Sequence, residues 1–178
     1  MPSIPVDTFV FNFASTVAAE KYDGWQHVNH HWAARRDKKK VDVVALEPAA
    51  RPTTTWLIEA KDFRVINAPP KPSNIGSLPQ AVAKKMTDSL LGLTDTAVNG
   101  QQASEKAHAA AAIAAAGRRV VLHLEPHPPS GAHTALFPSN FAANVHQALR
   151  PLVADIDPKP LVLCIANTPR AGVPWSVS

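Results

Sequence analysis

Cysteine is nearly absent. Cys164 is the one cysteine in 178 residues, which excludes a disulfide framework and any cysteine-rich zinc site. Glycine is sparse at seven, and no P-loop, dinucleotide-binding turn or nucleophile elbow occurs. Charged residues make up 18% against 46% hydrophobic, a balance that excludes an intrinsically disordered chain. No apolar run approaches the ~20 residues of a bilayer-spanning helix. The start, Met1-Pro2-Ser3-Ile4-Pro5-Val6-Asp7, lacks the basic and apolar regions of a signal peptide. No repeat of about 20–50 residues is visible, which excludes solenoids and propellers. Cytoplasmic residence is the expectation that follows.

What is present suits one compact domain over residues 1–178, with residues 139–178 as a C-terminal helix-strand extension. A chain of this length buries roughly 70% of its unfolded surface and needs no covalent staple. The net charge of +4 is a mild bias towards polyanions. Phe9, Phe13 and Val17 recur at i, i+4, i+8 and predict a first helix from Asp7 or Thr8 to about Tyr22. A β-meander follows, with strands within 25–34, 41–46 and 53–65 and a charged turn at 35–39. Prolines make 67–79 a loop. Val82, Met86, Leu90 and Leu93 give the next helix its core face, ending at Asn99-Gly100. An alanine-rich helix, 102–116, closes at Gly117. A strand at 120–124, a helix at 139–153 and a strand at 161–166 complete the order α-β-β-β-α-α-β-α-β. That order predicts a mixed α/β domain, antiparallel early and with helical crossovers late.

The chemistry concentrates on the third strand, Trp56-Leu57-Ile58-Glu59-Ala60-Lys61. A carboxylate and an ammonium ending an apolar strand are costly unless they are paired or bind something. Alternation puts Glu59 and Lys61 on one face, and hairpin pairing brings Asp42 of the second strand towards Glu59. Two oxygen donors on adjacent strands suit Mg²⁺, which takes few carboxylates and keeps several waters. A lysine beside them can hold the attacking water or neutralise phosphate charge. The acid-x-Lys pattern also occurs at Asp37-x-Lys39 and Asp157-x-Lys159. Those lie in a turn and a loop, and only Glu59 follows an apolar β-run.

On Asp42, Glu59 and Lys61 the chain resembles the PD-(D/E)XK nuclease superfamily. That resemblance implies a restriction-endonuclease-like mixed sheet with an α-β-β-β-α-β core flanked by helices. Val41 stands where the family motif has proline. By element order the likeness covers residues 8–125; by motif it covers three residues. It implies a metal-dependent nuclease hydrolysing phosphodiester bonds, with DNA as substrate and Mg²⁺ as cofactor, Mn²⁺ substituting. Asp42 and Glu59 would hold the metal and Lys61 would support the attacking water. Glu20, inside the apolar stripe of the first helix, resembles the helix-borne metal ligand of many members, or else ends in solvent. Gln80 and Lys84, one turn apart, resemble the residues that family helices turn towards the site, or else form a solvated face. With no separate recognition domain, the protein would cut by structure, rely on a partner protein or form a homodimer.

The basic turn Arg35, Arg36, Lys38, Lys39 and Lys40 is expected either to hold phosphates beside this site or to serve as a solvated hairpin tip. Arg64 and Lys71 extend the same surface. His27, Asn29, His30 and His31 lack the further ligands of an HNH unit and are read as lining a groove. His123, Glu125 and His127 are interrupted by prolines and do not form a zinc site. Cys164 belongs to a buried strand. Two rival readings remain. One is a non-catalytic nucleic-acid- or protein-binding module on the same fold. The other is an accessory subunit that docks through its alanine-rich helix.

Overall fold

The N-terminal stretch whose spacing suits a helix is extended instead. In the computed structural model, which describes residues 1–32, 37–48, 50, 52–64, 72–128 and 135–178, β1 (Ser3–Val6) and β2 (Phe9–Phe13) form an antiparallel hairpin. Phe9, Phe11 and Phe13 are buried while Val10 is exposed, a period of two that the i, i+4 reading overlooks. Asp7 turns the hairpin at φ 50, a left-handed conformation that aspartate tolerates in a two-residue turn. The rest of the expected helix is β3 (Ala18–Lys21) and a 3₁₀ turn, Tyr22–Gly24.

The strand expected within 25–34 is also replaced, by a π-helical stretch, Val28–Trp32. Its start is tied down from far away. The Glu105 carboxylate accepts the main-chain N–H groups of Gln26 and His27 at 2.7 and 3.1 Å, which satisfies donors that a helical start leaves orphaned.

Most of the remaining elements follow the sequence pattern, with three differences. A short helix occupies Pro72–Gly76 in the stretch expected to be a loop, Gly117 opens a strand and does not cap the alanine-rich helix, and a last strand, Trp175–Val177, has no expected counterpart. The elements are β4 (Val43–Glu47), β5 (Thr54–Asp62), the short α1 (Pro72–Gly76), α2 (Leu78–Asn99), α3 (Ala103–Ala114), β6 (Gly117–Glu125), α4 (Phe141–Leu152), β7 (Leu161–Leu163) and β8 (Trp175–Val177). The five-stranded sheet runs β3-β4-β5-β6-β7, and a three-stranded sheet runs β1-β2-β8. Strand β4 runs antiparallel to both of its neighbours, β3 and β5, and β5, β6 and β7 are parallel. The C-terminal extension serves both sheets. Strand β7 lengthens the larger one beside β6, and β8 pairs with β2.

The larger sheet is buried on both faces. Val44, Leu57, Val120, Leu122 and Leu124 join the core under α2, α3 and α4. Their neighbours Val43, Ala45, Ile58, Ala60 and Val121 join the core under the three-stranded sheet. The domain is therefore mixed α/β with helices, a five-stranded sheet and a small sheet as three layers. Among the described residues no helix is long and apolar enough to cross a membrane.

Helix α2 approaches the 3₁₀ turn and the π-helical stretch closely at Gly92. A Cβ there would lie 2.5 Å from Tyr22 Oη and 3.3 Å from Trp32 Nε1, and the Tyr22 hydroxyl is committed to the Ser89 carbonyl. Gly92→Ala is therefore expected to destabilise the protein by about 1–3 kcal/mol, despite the better helix propensity of alanine. Gly76→Ala, where nothing lies within 4 Å, is expected to be neutral or stabilising. Urea midpoints for the two variants test this, and a neutral Gly92→Ala would contradict the close approach.

Candidate active site

Asp42 is held just ahead of β4 by both neighbours. Its N–H donates to the Ile58 carbonyl at 3.1 Å, and its carbonyl accepts from Tyr22 N–H at 2.9 Å. Its carboxylate Oδ2 accepts the Ala60 N–H at 2.7 Å. The Asp42 side chain is thus pinned against β5 beside Glu59.

Glu59 lies on the helix-facing side of β5, opposite Leu122 of β6. Its side chain is 0% exposed. Two ammonium groups meet one of its oxygens: Lys61 Nζ and Lys85 Nζ each lie 2.6 Å from Oε1. The other oxygen, Oε2, is buried with no hydrogen-bond partner. Burial and the charge of Asp42 raise the Glu59 pKa, with Lys61 and Lys85 pulling the other way. Burial works against the charge of Lys61, but Glu59, Asp42 and Asp7 outweigh it and raise its pKa. Lys61 is therefore a cation at this site and not a base.

Lys85 was the residue that sequence reading missed. The expected Gln80 and Lys84 are both exposed, and Lys84 pairs with Asp88 one turn on, at 3.1 Å. The helix face that meets the sheet runs through Leu78, Val82, Met86, Ser89 and Leu93. Lys85 is three residues past Val82 and four before Ser89, so it alone of the three points at β5. A lysine at i+3 from a core valine was the available signal.

Glu20 is corrected in the same way. No helix carries it. It lies exposed on edge strand β3, opposite Val44. The N-terminal acid that sits near Asp42 is Asp23, in the 3₁₀ turn. Its Oδ1 is buried without a partner, and burial raises its pKa, with the charge of Asp42 adding and those of Lys21, Lys40 and Lys85 subtracting.

The basic turn is only partly free to meet a substrate. Arg35, Arg36 and Lys71 lie outside the described residues. Lys38 Nζ reaches Asp88 Oδ1 at 3.4 Å and lies 5.7 Å from the Trp32 ring centre. Lys39 donates its backbone N–H to Asp88 at 2.8 Å while its side chain is exposed. Lys40 turns inward, donating to the Asp23 carbonyl at 2.9 Å and to Asn29. Arg64 is occupied by Asp62. Burial opposes the Asp62 carboxylate, but Arg64 and Thr8 outweigh it and hold its pKa at about 2.

Beside Lys61 a hollow of about 350 Å³ opens between β5, α1 and the start of α2, lined by Lys61, Phe63, Asn74, Ile75, Ser77, Leu78 and Ala81. Among the described residues no group of three or more His, Cys, Asp or Glu could hold a metal. Asp42 and Glu59 are the acids expected to take Mg²⁺; Asp42 Oδ2 accepts the Ala60 N–H and Glu59 Oε1 meets two lysines, which leaves Glu59 Oε2 without a partner. The partnerless, buried Oε2 of Glu59 and the mutual repulsion of the two acids are what a divalent cation would relieve.

No family model matches the chain, and no solved structure matches it. A cysteine–tRNA ligase of Neisseria meningitidis serogroup A is 27% identical over 215 aligned residues, which take in 100% of this chain and 30% of the ligase. The chain thus spans less than a third of the length of that relative.

Proposed function

We propose that the chain is a metal-dependent nuclease of PD-(D/E)XK type that hydrolyses phosphodiester bonds in DNA. The observation that carries the reading is the meeting of Asp42, Glu59, Lys61 and Lys85 at one end of β5, with Glu59 Oε2 buried and unpartnered. The order of elements supports it. Antiparallel β3-β4-β5, then helices, then parallel β6 match the β-β-β-α-β part of a restriction-endonuclease-like core, with the acid ahead of the second strand and Glu-x-Lys on the third. The leading helix of that core has no counterpart, and a small sheet covers that side instead. Glu20 accordingly has no part in the proposal.

Asp42 and Glu59 would hold Mg²⁺ or Mn²⁺, which when bound polarises the phosphate and makes its water more acidic. Lys61, 33% exposed at its side chain, offers a positive donor to the phosphate oxygens as charge builds on them. Lys85, less exposed at 23%, meets the same Glu59 oxygen and favours the ionised carboxylate against burial and Asp42. The hollow beside Lys61 gives room for the flanking nucleotide.

Cleavage of supercoiled plasmid with Mg²⁺ or Mn²⁺ tests this, comparing the unaltered chain with Glu59→Gln and Lys61→Ala purified identically. Metal-dependent nicking lost in both variants is the expected result. Equal cleavage by all three, or none, would overturn it.

A second reading, a non-catalytic nucleic-acid-binding module, is favoured by the likeness to a tRNA ligase. It is the outcome if RNA binds without metal and no strand is cut.

A further inference from the structure

The histidines that do not fit an HNH unit gather in a different arrangement. His27 precedes the π-helical stretch and is 5% exposed. Its Nε2 lies 2.7 Å from Asp95 Oδ2 on α2. Its other ring nitrogen, Nδ1, is buried with no hydrogen-bond partner. When Nε2–H is donated to the carboxylate, Nδ1 carries the lone pair. An imidazole oriented by a carboxylate through one nitrogen, with the other left as an unused acceptor, is the usual condition of a metal-ligating histidine. Without a ligand that acceptor is a net cost.

His31 supplies the second ring. Its centroid is 5.0 Å from that of His27, with the planes inclined at 31°. Two imidazoles bound to one tetrahedral ion at about 2.0–2.1 Å have centroids roughly 5 Å apart. His30, Gln26, Gln101 and Gln102 complete the lining of a hollow of about 170 Å³ that both rings border. Among the described residues of that lining there is no lysine or arginine to repel a cation.

We propose that His27 Nδ1 and His31 form a site for a divalent transition-metal ion of the zinc class. Imidazole nitrogen selects such ions over Mg²⁺, so the site is distinct in chemistry as well as position from Asp42 and Glu59. With two protein ligands, water completes the coordination, and binding is weaker than at a four-ligand structural site. The ion would clip His27 to His31 across the π-helical stretch, just ahead of the basic turn, while Asp95 holds His27 to α2.

The test titrates the full chain, stripped of metal and then held in excess Mg²⁺ to occupy the carboxylate site, with Zn²⁺ by calorimetry and with Co²⁺ by visible absorption. Circular dichroism confirms that each variant is folded. One equivalent is expected to bind, with the d–d bands of a low-coordinate ion. His31→Ala, at an exposed position, is expected to weaken binding at least ~10-fold, and Asp95→Asn by about 10–100-fold. His146→Ala, on the surface of α4, and Glu59→Gln are expected to bind as the unaltered chain does, which separates this site from the carboxylate one. Failure to bind Zn²⁺, or His31→Ala binding unchanged, would overturn the proposal. So would loss of binding in Glu59→Gln.

Discussion

Lys61→Ala is expected to slow metal-dependent strand cleavage by about 10²–10³-fold, the usual effect of removing one donor aimed at developing charge. Lys61 is the more exposed of the two cations on Glu59, and its ammonium is held charged by its neighbours. Lys85→Ala is expected to retain more activity, because its group faces inwards from α2. The pair together matters more for stability. Either single variant leaves one ammonium 2.6 Å from Glu59 Oε1. The double variant leaves a fully buried carboxylate with no cation, which is expected to cost about 3–5 kcal/mol. Burial and Asp42 already raise the Glu59 pKa, and loss of both lysines raises it further. Its folded pKa then lies above its unfolded one. The folded double variant holds a proton that the unfolded chain gives up, so stability falls as pH rises between those two values. Urea unfolding at pH 5.5 and 8 is therefore expected to show the double variant losing stability at the higher pH relative to the unaltered chain. Equal losses at both pH values would mean that Glu59 has another partner.

His123 gives the second large effect, with the opposite sign. It is 0% exposed on β6, with its centroid 4.8 Å from the Phe9 ring and 5.4 Å from Phe11, both edge-on. Neither ring nitrogen has a hydrogen-bond partner. Glu125 Oε1 is 3.8 Å away, too far for a hydrogen bond. Burial first, and then the charge of Arg64, lower the His123 pKa from 6.5 to about 4. Between those values the unfolded chain binds a proton that the folded chain refuses. Stability is therefore lost as pH falls from about 6.5 towards 4, by on the order of 3 kcal/mol. His123→Leu removes the titrating group and two unsatisfied polar atoms at little cost in volume. It is expected to flatten the acid limb of the stability curve by that amount, on top of whatever the carboxylates contribute in both proteins. Parallel acid limbs for the two proteins would show that His123 stays neutral in neither state or in both.

The candidate site was largely legible because strand alternation is strict. Asp42, Glu59 and Lys61 needed only the period of two and one hairpin to be placed on a common face, and the register of β4 with β5 brings them there. Lys85 was legible in principle from its spacing to Val82, but the exposed flank of α2 bears a glutamine and a lysine that look equally suitable. What separates them is which stripe meets the sheet, and the sequence alone leaves that rotation open by one residue.

The N-terminus was not legible for a different reason. Phe9, Phe13 and Val17 satisfy a helical period, and Phe9, Phe11 and Phe13 satisfy a strand period. The choice is made by partners far along the chain, since β2 pairs with β8 at Phe11–Val177 and Phe13–Trp175. The residues after Trp25 are likewise helical because Glu105 supplies acceptors from α3.

The sequence by itself determined the helices and strands from β4 to β7, apart from the short α1, and singled out the two acids and one lysine of the candidate site. In those stretches the hydrophobic period is long and unambiguous, and each element buries its own face. Only the tertiary structure decided the N-terminal sheet, the π-helical stretch, the displacement of Glu20 to an edge strand, and the choice of Lys85 over Gln80 and Lys84. In each of these, local propensity is nearly balanced, and contacts from distant segments supply the free energy that tips it.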